Sequence, residues 1–409
     1  MNTPQTPLKR TEFVALMAMS IATVAFSIDA ILPALPEIGA ALTPGDLNRA
    51  QLILTSFVLG MGLGTFFTGP LSDAFGRRRV LLGGFVIYIL ASIFAMMAGS
   101  LEMVLAARVL QGIGAAGPRV VALVVIRDQY SGRQMAQLMS FVMMVFTLVP
   151  AFAPSVGAVI ITFVGWRGMF GAFVVFALIN GAWFALRQPE TLAPQSRRPF
   201  RLKALWAGVV EVLSSRIMRI TIFVQTLVLG CLFAMLSTVQ QVFDVTFDQG
   251  ENFPLWFGGL ALLSTGANIL NATFVVKVGM RMLIRITLFV QIILSGMFVV
   301  LLMTNILPEW AYFTGFLIWM TSIFYMVGMT LGNLNAIALE PMGHIAGMAT
   351  SIASSLSTVL AVAIAAPIGL TFNGSPLPMV FGTFCCVVIA MGVMQFIRHE
   401  PASTSSENT

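Results

Sequence analysis

Apolar residues run along this chain in long unbroken stretches separated by short polar intervals, with no alternation of period two. A stretch of 18 or more apolar residues is long enough to cross a bilayer as a helix. In lipid every backbone polar group must be satisfied internally, by helices or by a closed barrel. Continuous rather than alternating hydrophobicity selects helices, so the fold class is an all-α membrane protein. Twelve spans are expected, at 12–36, 50–71, 79–99, 102–125, 135–161, 165–187, 217–242, 253–275, 283–305, 309–337, 349–372 and 377–397. The longest polar interruption, 188–216, carries Pro189, Pro194 and Pro199. It divides a six-helix half (1–187) from a second one (217–398), and 399–409 reads as a flexible tail. Between Arg201 and Arg216, Leu202, Leu205, Trp206, Val209, Val210 and Leu213 are spaced as an amphipathic helix on the inner membrane face, packing as a scaffold under the spans.

Composition narrows the class. At 58% hydrophobic, 9% charged and a mean hydropathy of +0.94, the chain is far too apolar for a soluble fold. Lys9 and Arg10 precede the first span as in a signal peptide, but that span is too long for an h-region and further spans follow. Of the 22 Lys and Arg residues, only Arg49 and Arg167 fall in loops on one side, and Arg108 and Arg119 lie inside the fourth span. The remainder share the other side, so both termini are placed in the cytoplasm. Topology thus accounts for the net charge of +6 without a nucleic-acid partner. Cys231, Cys385 and Cys386 lie inside apolar spans as reduced packing residues. Two histidines and the lack of clustered carboxylates speak against a metal enzyme. No phosphate-binding G-x-x-x-x-G-K-[ST] loop is present, so neither ATP nor another cofactor is expected.

The loop Gly69-Pro-Leu-Ser-Asp-Ala-Phe-Gly-Arg-Arg-Arg79 concentrates charge in an otherwise apolar chain. Gly69 and Gly76 allow close helix approach and a tight turn. Asp73 and Arg77 can pair with neighbouring helix ends, so the loop reads as a conformational latch. Phe274-Val-Val-Lys-Val-Gly-Met-Arg-Met282 repeats it weakly after span eight. Aligning Gly76 with Gly279 gives an offset of 203 residues, about half the chain. Such repeats suit a transporter that exposes a central site alternately to each side.

Ionisable residues inside a bilayer are costly and usually serve a pathway or pair with one another. Asp29 precedes Glu37, at the outer end of span one, by 8 residues, and Arg108 follows Leu101 by 7. Both therefore lie about 10–12 Å below the outer surface, where an ion pair or alternating partners are geometrically possible. Burial disfavours an ionised carboxylate and a nearby arginine favours it. Moving the arginine, or admitting a substrate, can then load or release a proton at Asp29; the plain alternative is a fixed salt bridge. Arg119 shares a helical face with Arg108, and Gln111 lies between them, as in the wall of a wet cavity. Pro118 suggests a kink there. Arg108 as a structural clamp to helix one, and Arg119 snorkelling to the cytoplasm, remain open.

These motifs resemble those of the major facilitator superfamily of secondary transporters. Gly69 to Leu82 is similar to the superfamily's first loop motif, and Leu105-Ala-Ala-Arg-Val-Leu-Gln-Gly-Ile-Gly-Ala-Ala116 to its span-four motif, whose arginine is tied to proton transfer. Ser27-Ile-Asp-Ala-Ile-Leu-Pro-Ala-Leu-Pro36 resembles a segment of the Bcr/CflA branch of bacterial drug:proton antiporters. Val149 to Gly157 resembles the span-five antiporter motif, with Ala153 and Ala158 in place of glycines. The resemblance implies the twelve-helix major facilitator fold in a bacterial inner membrane. It also implies coupling roles for Asp29 and Arg108, and a bend of helix five at Pro150, Pro154 and Gly157.

The expected function is proton-coupled export of small amphiphilic drugs, of phenicol or bicyclomycin type, by a monomer. Its partners are a small-molecule substrate, protons and the lipid bilayer. Candidate substrate-binding residues are Gln111, Met139, Met143, Phe146, Gln225, Gln240, Asn268, Asn271, Tyr325 and Asn333, since flexible methionines suit loose recognition. Helix-to-helix hydrogen bonding is the rival role for the amides. A symporter for a metabolite or sugar, and a non-transporting receptor, are the alternatives. Glu340 and His344 read as a gate contact or as a solvated loop.

Overall fold

The computed structural model describes residues 8–397; the expected tail at 399–409 lies outside them. Ten continuous helical stretches are long and apolar enough to cross a membrane, and two are far longer than one crossing: Gly132–Arg187, of 56 residues, and Glu309–Leu370, of 62. At about 1.5 Å per residue each exceeds 80 Å, against a hydrocarbon core of about 30 Å. Each must therefore fold back once. The first does so at Gly165 (φ 66°, ψ −179°) and the second at the 3₁₀ segment Glu340–Ile345. That makes twelve crossings, with no strand among the described residues.

The first set comprises α1 (Arg10–Asp29), α2 (Leu35–Leu42), α3 (Leu52–Phe75), α4 (Arg77–Met96), α5 (Leu101–Gln129) and α6 (Gly132–Arg187). After α7 (Leu202–Ser214) the second set follows as α8 (Arg216–Gln241), α9 (Phe253–Ser264), α10 (Gly266–Val278), α11 (Met280–Thr304), α12 (Glu309–Leu339), α13 (Ala346–Leu370) and α14 (Leu377–Met394). Two crossings expected as single helices are interrupted. Crossing one stops at Asp29 and resumes at Leu35 through a 3₁₀ turn at Leu32–Ala34. Pro33 has no N–H for the Asp29 carbonyl, and its ring crowds that carbonyl. Crossing eight is divided between α9 and α10 at Thr265. Helix α5 runs continuously through Pro118.

Small residues bring α5 against its neighbours. A Cβ on Gly112 would strike the Phe57 carbonyl and come within 2.6 Å of the Met61 nitrogen, both on α3. Contact between backbones is how membrane helices associate tightly without a hydrophobic driving force between them. Between the sets, Ser355 Oγ on α13 donates to the Gly62 carbonyl on α3 at 2.8 Å. At the end carrying Arg49 and Arg167, an amide cluster joins the sets. Gln51 donates to Gln241, Thr238 Oγ1 donates to Gln51 Oε1 at 3.1 Å, and Asn48 Nδ2 donates to the Phe372 carbonyl at 2.7 Å. Towards the arginine-rich end Met143 and Met144 on α6 are exposed, and Ala267 alone is buried among the residues of α10.

Helix α7 buries Leu205, Gly208 and Val212. Val212 joins a cluster with Met218, Ile222, Ala349, Ile352 and Ala353 of the second set. Leu202, Trp206, Val210 and Leu213 remain exposed on α7.

Candidate functional site

Asp29 sits at the break in crossing one. It is only 4% exposed, and its carboxylate makes no hydrogen bond or ion pair among the described residues. Gly157 of α6 faces the same break, where a Cβ would collide with the Ala30 carbonyl. The glycine thus lets crossing five lie directly on the interrupted backbone of crossing one. Helix α6 stays helical through Pro150, Pro154 and Gly157, and Gly165 is its non-helical residue.

Arg108 is fully buried and makes no ion pair with that carboxylate. Its Nε donates to the Ile53 carbonyl on α3 at 3.1 Å, its Nη2 to the Ser27 carbonyl on α1 at 3.0 Å, and its Nη1 to Gln111 Oε1 at 2.5 Å. The guanidinium lies 4.3 Å from the centre of the Phe57 ring. Gln111 Nε2 donates to Ser92 Oγ on α4 at 2.7 Å, Ser92 Oγ to the Tyr88 carbonyl at 2.7 Å, and the Tyr88 and Ser27 hydroxyls are 2.6 Å apart. Four helices therefore meet in one sealed polar hub. This corrects the expected wet wall: Arg108 and Gln111 are each 0% exposed. Nor is the Asp29–Arg108 ion pair formed, although Ser27, which Arg108 grips, lies only two residues from Asp29. Arg119 is half-buried on the same side of α5, its Nη1 3.3 Å from Met61 Sδ on α3.

Several of the remaining substrate candidates are bonded to neighbouring helices. Gln225 Nε2 donates to Asn335 Oδ1 at 2.9 Å, and its Oε1 accepts from Ser357 Oγ at 3.2 Å, which ties α8 to α12 and α13. Asn333 Nδ2 donates to Asn271 Oδ1 at 2.7 Å and Tyr325 Oη to the Leu263 carbonyl at 3.1 Å, so both side chains bind neighbouring helices. Gln240 is buried, and its Oε1 has no partner among the described residues. Asn268 and Met143 are exposed, while Met139 and Phe146 are half-buried.

At the arginine-rich end, Arg77 pairs with Asp73 and donates through Nε to Asp128 Oδ2 at the end of α5, at 3.1 Å. Gly76 adopts φ 100°, ψ 151°, and Gly279 φ 80°, ψ 153°, so the two repeat loops share one backbone turn that a side chain would strain. The loops differ in their caps. Glu190 accepts from the Arg77 N–H at 2.8 Å and the Arg78 N–H at 3.1 Å, closing the first turn of α4. Around Gly279 nothing approaches within 4 Å of a Cβ position. Sequence reasoning passed over Glu190 and Asp128; the signal available was an acid in each of two basic segments. Losing a carboxylate cap costs about 1–2 kcal/mol, so Glu190→Ala lowers the melting temperature of the purified protein, and Glu190→Gln recovers part of the loss. Glu340 and His344 contact other elements, Arg281 at 2.9 Å and Glu211 at 2.5 Å respectively.

Residues 17–366 match the family model of the Major Facilitator Superfamily. A bicyclomycin resistance protein homolog from Haemophilus influenzae is 28% identical over 398 residues, covering 95% of this chain and 97% of its own. A chloramphenicol resistance protein from Pseudomonas aeruginosa is 37% identical over 166 residues, 40% of this chain and 39% of its own. The multidrug resistance protein MdtL of Escherichia coli is 30% identical over 169 residues, 41% of this chain and 43% of its own. Among solved structures, the inward-open xylose transporter XylE from E. coli superposes with a TM-score of 0.73 at 15% identity, over 97% of this chain and 98% of its own, a likeness of fold. With a family match across most of its crossings, the chain belongs to the Major Facilitator Superfamily.

Proposed function

We propose that the protein is a proton-coupled antiporter that exports small amphiphilic drugs across a bacterial inner membrane, with both termini in the cytoplasm. The observation that carries this reading is Asp29: a buried carboxylate without a protein partner among the described residues, at a helix break beside Gly157. A group so placed can exchange its charge state with the conformation of the transporter. The relatives named for bicyclomycin, chloramphenicol and multidrug resistance support drugs as the cargo.

In the proposed cycle the amide cluster at Gln51 and Gln241 closes the outer side while the cytoplasmic side admits substrate. Opening of the outer side exposes Asp29 to external protons. Proton binding favours release of the drug outward, and return of the carrier delivers the proton inside. The hub around Arg108 holds the segment of α1 that carries Asp29 throughout. One polypeptide supplies this whole pathway, so a monomer suffices.

The test is accumulation of labelled phenicols, fluoroquinolones and lipophilic cations in efflux-deficient bacteria, with and without the protein. At least one compound accumulates less when the protein is present, and a protonophore removes the difference. Equal accumulation of every compound, with the protein confirmed in the membrane, would sink the reading and favour a metabolite transporter.

A further inference from the structure

A cavity of about 530 Å³ opens at the arginine-rich end where the two sets and the linker meet. Asp73, Arg127, Arg198, Arg201, His344 and Ser351 contribute to its lining. Its two groups of ambiguous or opposite charge are already engaged: Asp73 with Arg77, and His344 with Glu211. The side chains of Arg127, Arg198 and Arg201 are exposed, and none makes a hydrogen bond or ion pair among the described residues. Glu190 and Asp128, the nearby acids, are held by the Arg77 and Arg78 amides and by the Arg77 side chain with Thr191. The cavity therefore presents three guanidinium groups with no ion-pair partner among the described residues, a donor set suited to phosphate oxygens.

The neighbouring surface indicates where that phosphate comes from. Arg201 immediately precedes α7, and Ala204 and Leu205 of that helix also line the cavity. On the outer face of α7, Leu202, Trp206, Val210 and Leu213 form one exposed apolar stripe at helical spacing. A stripe of this kind beside basic residues lies in the membrane interface, with the tryptophan at headgroup level. We propose that the cavity binds the phosphate headgroup of an acidic phospholipid, with the acyl chains lying along the α7 stripe. Because Asp73 and Arg127 belong to the first set and His344 and Ser351 to the second, the bound lipid bridges the sets and favours the arrangement seen here. Binding is a property of this face and is independent of which compound is exported.

Full-length protein in mixed micelles is titrated with phosphatidylglycerol, with phosphatidylcholine, and separately with inorganic phosphate; binding is read by native mass spectrometry and by thermal unfolding. Three arginines beside an anionic lipid are together worth roughly 100-fold in affinity, so phosphatidylglycerol binds tighter than phosphatidylcholine by that factor and raises the melting temperature. The preference disappears in the Arg127→Gln/Arg198→Gln/Arg201→Gln variant, and Arg201→Gln alone weakens it roughly fivefold. Equal binding of the two lipids by the unaltered protein, or an undiminished preference in the triple variant, would overturn the site. Inorganic phosphate that reproduces the thermal shift and displaces phosphatidylglycerol would overturn the lipid assignment in favour of a free anion.

Discussion

Asp29→Asn abolishes uphill, proton-driven export while leaving the protein folded and at its normal level in the membrane. The two side chains have nearly the same shape, so packing at the break between α1 and α2 is preserved. Asparagine cannot take up and release a proton, and a group that transfers a proton in an essential step typically contributes on the order of 100-fold or more. Stability has no reason to fall: the Asp29 carboxylate makes no hydrogen bond or ion pair among the described residues that the amide would lose. A neutral amide is also cheaper to bury than an unpaired carboxylate. The variant therefore melts at or above the temperature of the original protein.

Two measurements separate loss of coupling from general damage. In cells the variant no longer lowers drug accumulation. In proteoliposomes without a proton gradient it still exchanges labelled for unlabelled drug, because alternating access itself needs no proton at residue 29. Export that persists in the variant and still collapses with a protonophore would remove Asp29 from the coupling step.

The twelve crossings were legible because a bilayer imposes length and apolarity on every one of them, whatever its tertiary neighbours. The turns at Gly76 and Gly279 were legible for a related reason: a local backbone requirement shows in the residue type. The break after Asp29 was available in the sequence through Pro33, yet a continuous apolar run masks it. What stayed hidden depends on which face of a helix meets which neighbour. The position of Arg108 on its apolar helix was legible, but its partners are the carbonyls of Ile53 and Ser27, and carbonyls carry no sequence signature. Gln111 is fully buried with its side chain bonded to Arg108 and to Ser92 of α4, partners that helical spacing alone does not define. Glu190 caps a helix 113 residues away in sequence, a pairing that only the folded chain defines. The amides expected on crossings seven and ten lie on those helices, where Gln225 and Asn333 bond to neighbouring helices.

Arg108→Lys is the sharpest test of the hub, because it keeps the charge and changes only the shape of the donor. The guanidinium spreads its donors in a rigid plane and reaches α3 through Nε, α1 through Nη2 and Gln111 through Nη1 at the same time. A lysine ammonium is a compact point charge and cannot span those three directions from one position. At least one buried acceptor loses its partner, and a hydrogen bond to a charged group is worth about 1.5–3 kcal/mol. The melting temperature therefore falls, corresponding to about 3 kcal/mol. Export falls as well, since the Ser27 carbonyl is the grip on α1 two residues before Asp29, and freeing it lets the carboxylate leave its place opposite Gly157. Tyr88→Phe is the matched comparison: it removes only the hydroxyl that meets Ser27 Oγ at 2.6 Å, leaves the guanidinium bonds intact, and costs about 1 kcal/mol with export largely retained. A lysine variant that melts lower but whose folded fraction exports with unchanged proton dependence would reduce Arg108 to a structural clamp. Equal losses of export in the lysine and phenylalanine variants would instead place the sensitivity in the Ser27–Tyr88 contact rather than in the arginine.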